Sequence, residues 1–411
     1  MSFCFGGAEI LLPDFEKISG EKYAVIACDQ YTSEPQYWEE AERIVGNSPS
    51  VLSFVLPEVY LEDESAELRK QKIAASMKGA LDASLFCKYE NAMIYLERTQ
   101  RDGRVRCGIV GKIDLECYDY AKGSTPKIRA TEGTVLSRIP PRAEVRAKAP
   151  FELPHVMLLF DDARDVILSP LADLAEKRKP IYDFDLMQGG GHVRGFLLTD
   201  GEQAELLARM QETLDEKFPF AVGDGNHSLA AAKAHYESLK KTYGASAVLD
   251  HPARYALVEA VNIASPALTF EPIYRVVFHA PDRIVSDLRA YLEKEGDAAY
   301  GGGEIVCLSQ KGRETVKFEC GTHSLTVGTL QRFLDAYLTQ YPSAKIDYIH
   351  GEDSLVSLAN QDGAVGFLFG GMEKSELFSS VAKDGALPRK TFSMGEAYDK
   401  RYYLEARMIT K

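Results

Sequence analysis

One stretch constrains this chain more than any other: Phe218-Pro-Phe-Ala-Val-Gly-Asp224-Gly225-Asn226-His227-Ser228-Leu-Ala-Ala-Ala-Lys-Ala-His235. An apolar run, a polar Asp-Gly-Asn-His-Ser turn and an alanine-rich segment predict a strand that turns tightly into a helix. The first backbone N–H groups of a helix lack intrahelical partners. Together with the helix dipole they form a seat for an anion, usually a phosphate. Gly225 lets a ligand approach the backbone closely, and Asn226 or Ser228 can cap the helix. Asp224 and His227 add groups able to hold a metal, orient a hydroxyl or move a proton. A capped helix start whose aspartate and histidine are only structural is the alternative, and these residues alone leave both readings open.

A chain of 411 residues is long for one core, so two or three lobes are expected. The division expected from the pattern is 1–150, 151–280 and 281–411. No apolar run approaches the roughly 20 residues of a membrane span. The N-terminus lacks the basic start and long apolar stretch of a signal peptide. A cytoplasmic protein without a membrane partner is therefore expected. The net charge of −13 argues against a nucleic-acid partner. Cys4, Cys28, Cys87, Cys107, Cys117, Cys307 and Cys320 are scattered, with no C-x-x-C pair. Such a set suits a reducing compartment and gives neither a disulfide framework nor a zinc site. Nothing in the sequence sets the oligomeric state.

Helical patterns fall at 36–46, closed by Gly46, and at 64–84, with Leu68, Ile73, Met77 and Leu81 at helical spacing. Strands at 92–98 and 106–116 flank an Arg101-Asp-Gly-Arg turn, and Pro140-Pro141 is expected to end the first region. The strand at 154–161, helix at 164–177, strand at 193–199 and helix at 201–214 lead into the motif. Central strands are expected over 253–278, a helix over 281–295 and a small meander over 304–328. Helices at 329–340, 353–360 and 373–383 alternate with strands at 345–350, 363–369 and 401–409. This alternation predicts a mixed α/β fold (α+β in places), with a partly parallel sheet and flanking helices.

Charge is uneven along the chain. Residues 122–150 carry Lys122, Lys127, Arg129, Arg138, Arg142, Arg146 and Lys148 against Glu132 and Glu144, a local surplus of five. A basic island in an acidic protein is the footprint of a small-anion site, and arginine's planar fork suits phosphate and carboxylate. A solvated basic face, or arginines paired with acids elsewhere, is the competing account. Within the island, Thr131-Glu132-Gly133-Thr134 sets a carboxylate among cations, as a general base or an ion-pair partner. His192 follows Gly189-Gly-Gly191 in a flexible turn. His350 and Gly351 end an apolar strand, where α/β sheets present ligands. Arg389 and Lys390 follow a glycine turn, and Cys28-Asp29-Gln30-Tyr31-Thr32 closes the apolar run at 23–27.

Taken in order, Ala27-Cys-Asp-Gln-Tyr, Thr131-Glu132 with Thr134, His192, Asp224-Gly-Asn-His227, Tyr348-Ile-His350-Gly351, Pro388-Arg-Lys390-Thr-Phe392 and Lys400-Arg-Tyr-Tyr-Leu-Glu-Ala-Arg407 resemble the uncharacterised family known as domain of unknown function 1015. Its helix-start motif, usually Asp-Gly-His-His-Arg, is similar to the phosphate-binding turn of the ParB/sulfiredoxin superfamily, which includes nucleotide-dependent kinases of free serine. Asp224, Gly225 and His227 fit that motif. Asn226 and Ser228 depart from it, and Thr131 stands where many relatives carry histidine.

The resemblance implies a ParB/sulfiredoxin-like element around 218–240. It also implies a phosphoryl-transfer enzyme acting on a small hydroxylated metabolite, with ATP or ADP as co-substrate and Mg²⁺ as cofactor. On that basis Glu132, Asp224 and His227 are the catalytic candidates, with Asp224 also the Mg²⁺ ligand. Arg129, Thr131, Arg138, Arg142, His192, Gly225, Asn226, Ser228, His350 and Lys390 are the candidates for holding phosphate or substrate. A phosphoserine-type phosphohydrolase needs the same anion site. A non-catalytic nucleotide or metabolite sensor is favoured by the missing arginine at Ser228. The sulfiredoxin branch needs a cysteine nucleophile in the motif, and residues 218–235 contain none.

Overall fold

The structure, a computed structural model, describes residues 3–60, 66–121 and 123–411. The start of the helix expected at 64–84, and Lys122 of the basic island, lie outside the described residues. The chain divides into two compact units. Met1–Ala130, Thr134–Leu268 and Glu396–Lys411 form the first, and Thr131–Gly133 with Thr269–Gly395 form the second. The expected three-part division, cut at 150 and 280, follows the chain, whereas the observed units are discontinuous in it.

The first unit is built on a ten-stranded mixed sheet. Its order is Tyr182–Asp185, His192–Leu197, Ile94–Thr99, Val105–Asp114, Tyr255–Asn262, Met157–Phe160, Phe220–Asp224, Ile128–Ala130 and Tyr118–Asp119, with Phe5–Gly6 added along Val105–Asp114. Three pairings are parallel: Met157–Phe160 with Tyr255–Asn262, and Ile128–Ala130 with both Phe220–Asp224 and Tyr118–Asp119. Both faces are covered. Successive strand residues point to opposite faces. Ile94, Leu96, Val110 and Leu257 therefore join one apolar cluster with Trp38 and Phe151. Tyr95, Ile109, Val258 and Ala260 join another with Leu206, Leu229 and Tyr236.

Helix Pro35–Val45 turns Trp38, Ala41 and Val45 inward and stops at Gly46. Helix Asp200–Thr213 starts at a capping box, in which Thr199 and Glu202 each satisfy the other's backbone N–H. Pro140-Pro141 does not end the region. The pair lies in the first turn of helix Ile139–Lys148, where a missing N–H is harmless because first-turn donors have no intrahelical acceptor.

The tail expected as one strand at 401–409 is two short strands, Tyr402–Tyr403 on Val25–Ile26 and Arg407–Met408 on Phe151–Glu152. It brings charge into the core. Glu259, fully buried, lies 3.2 Å from Arg106 and 2.8 Å from Arg401. Arg401 also meets Glu405 at 2.6 Å, and Tyr182 donates its hydroxyl to Glu405 at 2.7 Å. Buried charges persist only when paired in this way.

The second unit contains an antiparallel sheet in the order Gly312–Phe318, Gly303–Ser309, Val365–Phe369, Phe270–Phe278 and Lys345–His350. Phe392–Met394 pairs with the outer part of Phe270–Phe278. Leu355 and Ala359 of helix Glu352–Ala359 pack with Val276, Val306, Leu308 and Ile349. Helices and strands alternate here as expected, yet every sheet pairing described in this unit is antiparallel. Among the described residues no helix is long and apolar enough to cross a membrane.

Candidate functional site

Strand Phe220–Asp224 runs between Met157–Phe160 and Ile128–Ala130 and ends in the Asp-Gly-Asn-His-Ser turn. Gly225 takes φ +81°, and a Cβ there would stand 2.9 Å from the Val156 Cα. Conformation and space therefore both require glycine. Helix Asn226–Tyr243 has Gly225 at its N-cap, a residue with no side chain to cap the first turn. The Asp224 carboxylate folds back on the turn. Its Oδ1 accepts the Gly225 N–H at 2.8 Å, and its Oδ2 lies 3.3 Å from the Lys400 ammonium.

Lys400 stands on a segment pinned by buried arginines. Arg98 donates to the carbonyls of Tyr398 and Lys400 at 3.0 and 3.2 Å, and Arg106 to that of Asp399 at 2.9 Å. The next residue, Arg401, donates to the Pro154 carbonyl at 2.5 Å. Beside Lys400 is Asp29. Burial works against the Asp29 charge, but His155, the Gln30 amide and Lys400 outweigh it and hold the carboxyl below the usual range. His155 Nε2 is 3.7 Å from Asp29. Its Nδ1 is 2.9 Å from the Tyr403 hydroxyl, which is itself 3.0 Å from the Cys28 sulfur. Burial pushes the Cys28 thiol up to about 11, so it stays protonated at neutral pH and is a poor nucleophile.

Three further groups flank the turn. Asn226 is 6% exposed. Among the described residues its Oδ1, and the Thr134 Oγ1, are buried without a hydrogen-bond partner. His227 Nε2 accepts the Val135 N–H at 3.2 Å, which places the proton of the neutral ring on Nδ1.

The other candidates lie elsewhere. The Arg129 guanidinium sits 4.3 Å over the Phe218 ring, and its Nε donates to the Pro126 carbonyl at 3.0 Å. Arg142 pairs with Glu58, Arg146 with Glu152 at 2.5 Å and Lys148 with Glu144 at 2.8 Å. Much of the basic island is thus matched to acids. Arg138 is exposed, and its carbonyl accepts from Arg142 at 3.1 Å. His192 is five strand positions from Phe220–Asp224, on the order of 24 Å at usual strand spacing. It lies between Asp183 and Asp185, at 2.6 Å from each.

In the second unit the Thr131 carbonyl accepts the Leu387 N–H at 2.8 Å, and Glu132 Oε2 accepts the Lys390 N–H at 3.2 Å. Lys390 is exposed with φ +59°, and His350 is exposed at the end of its strand, in register with Ile273. Asp224, Gly225, Asn226, His227 and Ser228 are thus gathered in the first unit, and Thr131, Glu132, His350 and Lys390 belong to the second. Sequence reasoning named Lys400 only as the start of the C-terminal landmark and gave it no role, and it did not single out His155. Asp29 was visible as a polar group closing a strand, but a lone lysine in a tail gives no local signal.

Among the described residues no group of three or more His, Cys, Asp or Glu stands together to hold a metal. With one oxygen on the Gly225 N–H and the other at Lys400, Asp224 does not by itself fit a resident magnesium ion.

Solved structures with weak similarity to this chain include a mutant free serine kinase in complex with ADP. It has a TM-score of 0.39 and 10% identity, over 73% of this chain and 92% of the other. A conserved hypothetical protein from Pyrococcus furiosus gives a TM-score of 0.35 at 10% identity, over 73% of this chain and 94% of its own. C-terminally truncated SbnI from Staphylococcus aureus gives 0.35 at 10% identity, over 70% and 82%. No curated protein matches in sequence. Residues 14–337 match the model of the family described as "Protein of unknown function (DUF1015)", and the chain belongs to that family.

Proposed function

We propose that the Asp224–Ser228 turn binds the phosphate groups of a small ligand. On this reading the protein transfers a phosphoryl group to a small hydroxylated metabolite, with ATP or ADP as the nucleotide and a free serine kinase as the model. The observation that carries the reading is Gly225. Its φ of +81° against the Val156 backbone sets the uncapped start of a long helix beside the Asp224–Lys400 pair. Phosphoryl transfer depends mainly on positioning and charge neutralisation. The backbone from Gly225 to Ser228 cradles phosphate, and Lys400 supplies positive charge. Asp224 orients the lysine and the accepting hydroxyl, and a magnesium ion bound with the nucleotide would supply further charge neutralisation. Glu132 is the proposed base on the strength of the family resemblance alone. Glu132→Gln then abolishes turnover while leaving affinity within about threefold.

The test is thermal shift with ATP, ADP, CTP, phosphoserine, serine and inorganic phosphate, each with and without Mg²⁺. A ligand at 100 times its dissociation constant adds about 2.7 kcal/mol. Stabilisation by a nucleotide supports the reading, and phosphoserine or phosphate alone redirects it to a hydrolase. No shift with any of them removes the phosphate site. One observation favours a sensor instead. Ser228 replaces the arginine of the wider motif, while Arg129 and Arg142 are engaged with Phe218 and Glu58. Tight nucleotide binding with no phosphoserine formed from ATP and serine selects that second reading.

A further inference from the structure

Helix Ile139–Lys148 lies against helix Asn226–Tyr243 in the first unit. Ile139, Ala230 and Ala231 form one apolar cluster across the seam, with Ala143 and Ala234 packed against it. Arg146 follows Ala143 by three residues and Ile139 by seven, so it continues the stripe of its helix that faces the seam. His235 follows Ala231 by four residues on the buried side of the other helix. The two residues are thus placed along one seam.

The charges around Arg146 do not balance. Its Nη1 donates to Glu152 Oε2 at 2.5 Å, while Glu152 Oε1 accepts the Arg407 Nε–H and the Leu257 N–H, each at 2.8 Å. One buried carboxylate therefore answers two guanidiniums. Arg407 spends its remaining nitrogens on the carbonyls of Pro252 and Tyr255. Arg146 does not. Among the described residues its Nε and Nη2 are buried without a hydrogen-bond partner. So is the Nδ1 of His235, a residue 8% exposed. Nε–H and Nη2–H are the parallel donors on one edge of a guanidinium, the edge that takes two oxygens at once. Buried donors left unpaired are costly, and a charged group more so.

We propose that this edge of Arg146, together with His235 Nδ1, binds the oxyanion group of a small ligand, a carboxylate or a phosphate. Two oxygens of the ligand take the Nε and Nη2 hydrogens, and the neutral imidazole donates a third hydrogen bond from Nδ1. The anion supplies the counter-charge that Glu152 alone does not. Burial, then Arg146 and His251, keep the His235 ring neutral at pH 7, which agrees with a surplus of positive charge at the seam. The Arg146 side chain is 13% exposed, so the edge lies just beneath the surface. His235 stands nine residues beyond Asn226, about 14 Å along the helix, so the site is separate from the Asp224–Ser228 turn. It stands whether or not that turn binds phosphate.

The test melts the full chain in phosphate, sulfate, acetate and chloride at matched ionic strength. The Lys400→Met variant is included to weaken the turn. Phosphate or acetate is expected to stabilise both chains saturably and beyond chloride. Arg146→Lys keeps the charge but loses the fork, and should weaken that response about tenfold or more. The tighter of the acetate and phosphate responses assigns the ligand to a carboxylate or a phosphate. A second readout needs no change at Arg146. The His235 ring signals, identified by their loss in His235→Gln, should shift saturably with the stabilising anion in nitrogen NMR. Stabilisation of Lys400→Met no greater than in chloride overturns the proposal. So does an affinity unchanged in Arg146→Lys, or a His235 signal that the anion leaves in place.

Discussion

The Lys400 ammonium lies 3.3 Å from the Asp224 carboxylate, and only 14% and 17% of the two side chains are exposed. An ion pair so shielded is screened less by salt than a surface pair. Lys400 also has donors left over, since an ammonium has three and Asp224 uses one. Its neighbours in the chain are tied down by Arg98, Arg106 and Arg401, so a ligand meets it already in position. Lys400→Met is expected to weaken ATP binding by about 10–100-fold, the equivalent of one charged hydrogen bond. Affinity for adenosine, which has no phosphate, should stay nearly constant. Titration calorimetry with both ligands checks this, and equal ATP affinity in the variant removes Lys400 from the site.

Gly225→Ala tests the turn itself. A left-handed alanine costs about 1–2 kcal/mol, and its Cβ would press on the Val156 backbone at 2.9 Å. The variant should lose about 2 kcal/mol or more and bind nucleotide worse than the stability loss alone accounts for. Thermal melts with and without ATP separate the two effects. A variant as stable as the parent contradicts the assigned backbone conformation.

Local pattern explains why the turn was legible and Lys400 was not. Phe218 to His235 encodes its structure within a few residues: an apolar run, a glycine that must be left-handed and a run of good helix formers. The Asp224–Lys400 pair depends on the tail returning to the sheet, and no spacing in the sequence records that. The basic island misled for a related reason. Composition counts Arg142 and Arg146 as free charge, but Glu58 and Glu152, remote or outside the island, meet them in the fold. Helix–strand alternation forecast the mixed α/β fold correctly. It could not say that parallel pairs would occur in the first sheet while the strands of the second pair antiparallel, because pairing direction is set by how the helices cross over.

Glu259 is expected to be among the most sensitive positions in the first unit. It is fully buried and faces both Arg106 and Arg401. Burial disfavours its charge, and the two guanidiniums outweigh that and hold its carboxyl below the ordinary range. Glu259→Gln keeps the shape but leaves buried cations undercompensated, a loss of about 3–5 kcal/mol. A large fall in melting temperature is the expected result. A change under about 1 kcal/mol would mean that Glu405 alone balances Arg401.

His192 sets a small alkaline limb. Partial burial lowers its pKa, and the Asp185 and Asp183 carboxylates outweigh that and raise it above the ordinary histidine value. Its contribution is therefore complete below about pH 6.5, the unfolded value. It is lost as pH rises through the raised folded value. Because 36% of the side chain is exposed, the gain stays below about 1 kcal/mol. His192→Gln should flatten the stability profile above pH 6.5 and leave nucleotide affinity unchanged, since the residue is remote from the turn.

His235 acts with the opposite sign. It lies on the helix that starts at Asn226 and is 8% exposed, and its Nδ1 has no hydrogen-bond partner among the described residues. Burial first, then Arg146 and His251, lower its pKa to about 4, against a partial offset from Glu152. The folded protein holds this ring neutral while the unfolded chain takes up a proton near pH 6.5. Stability is therefore complete above that pH and falls as pH drops toward 4. The full loss is on the order of 3 kcal/mol across that window. Chemical unfolding of the parent and His235→Gln at pH 7.5, 5.5 and 4.5 measures it. The two profiles should converge toward low pH, and parallel profiles would mean that the ring is already charged in the fold.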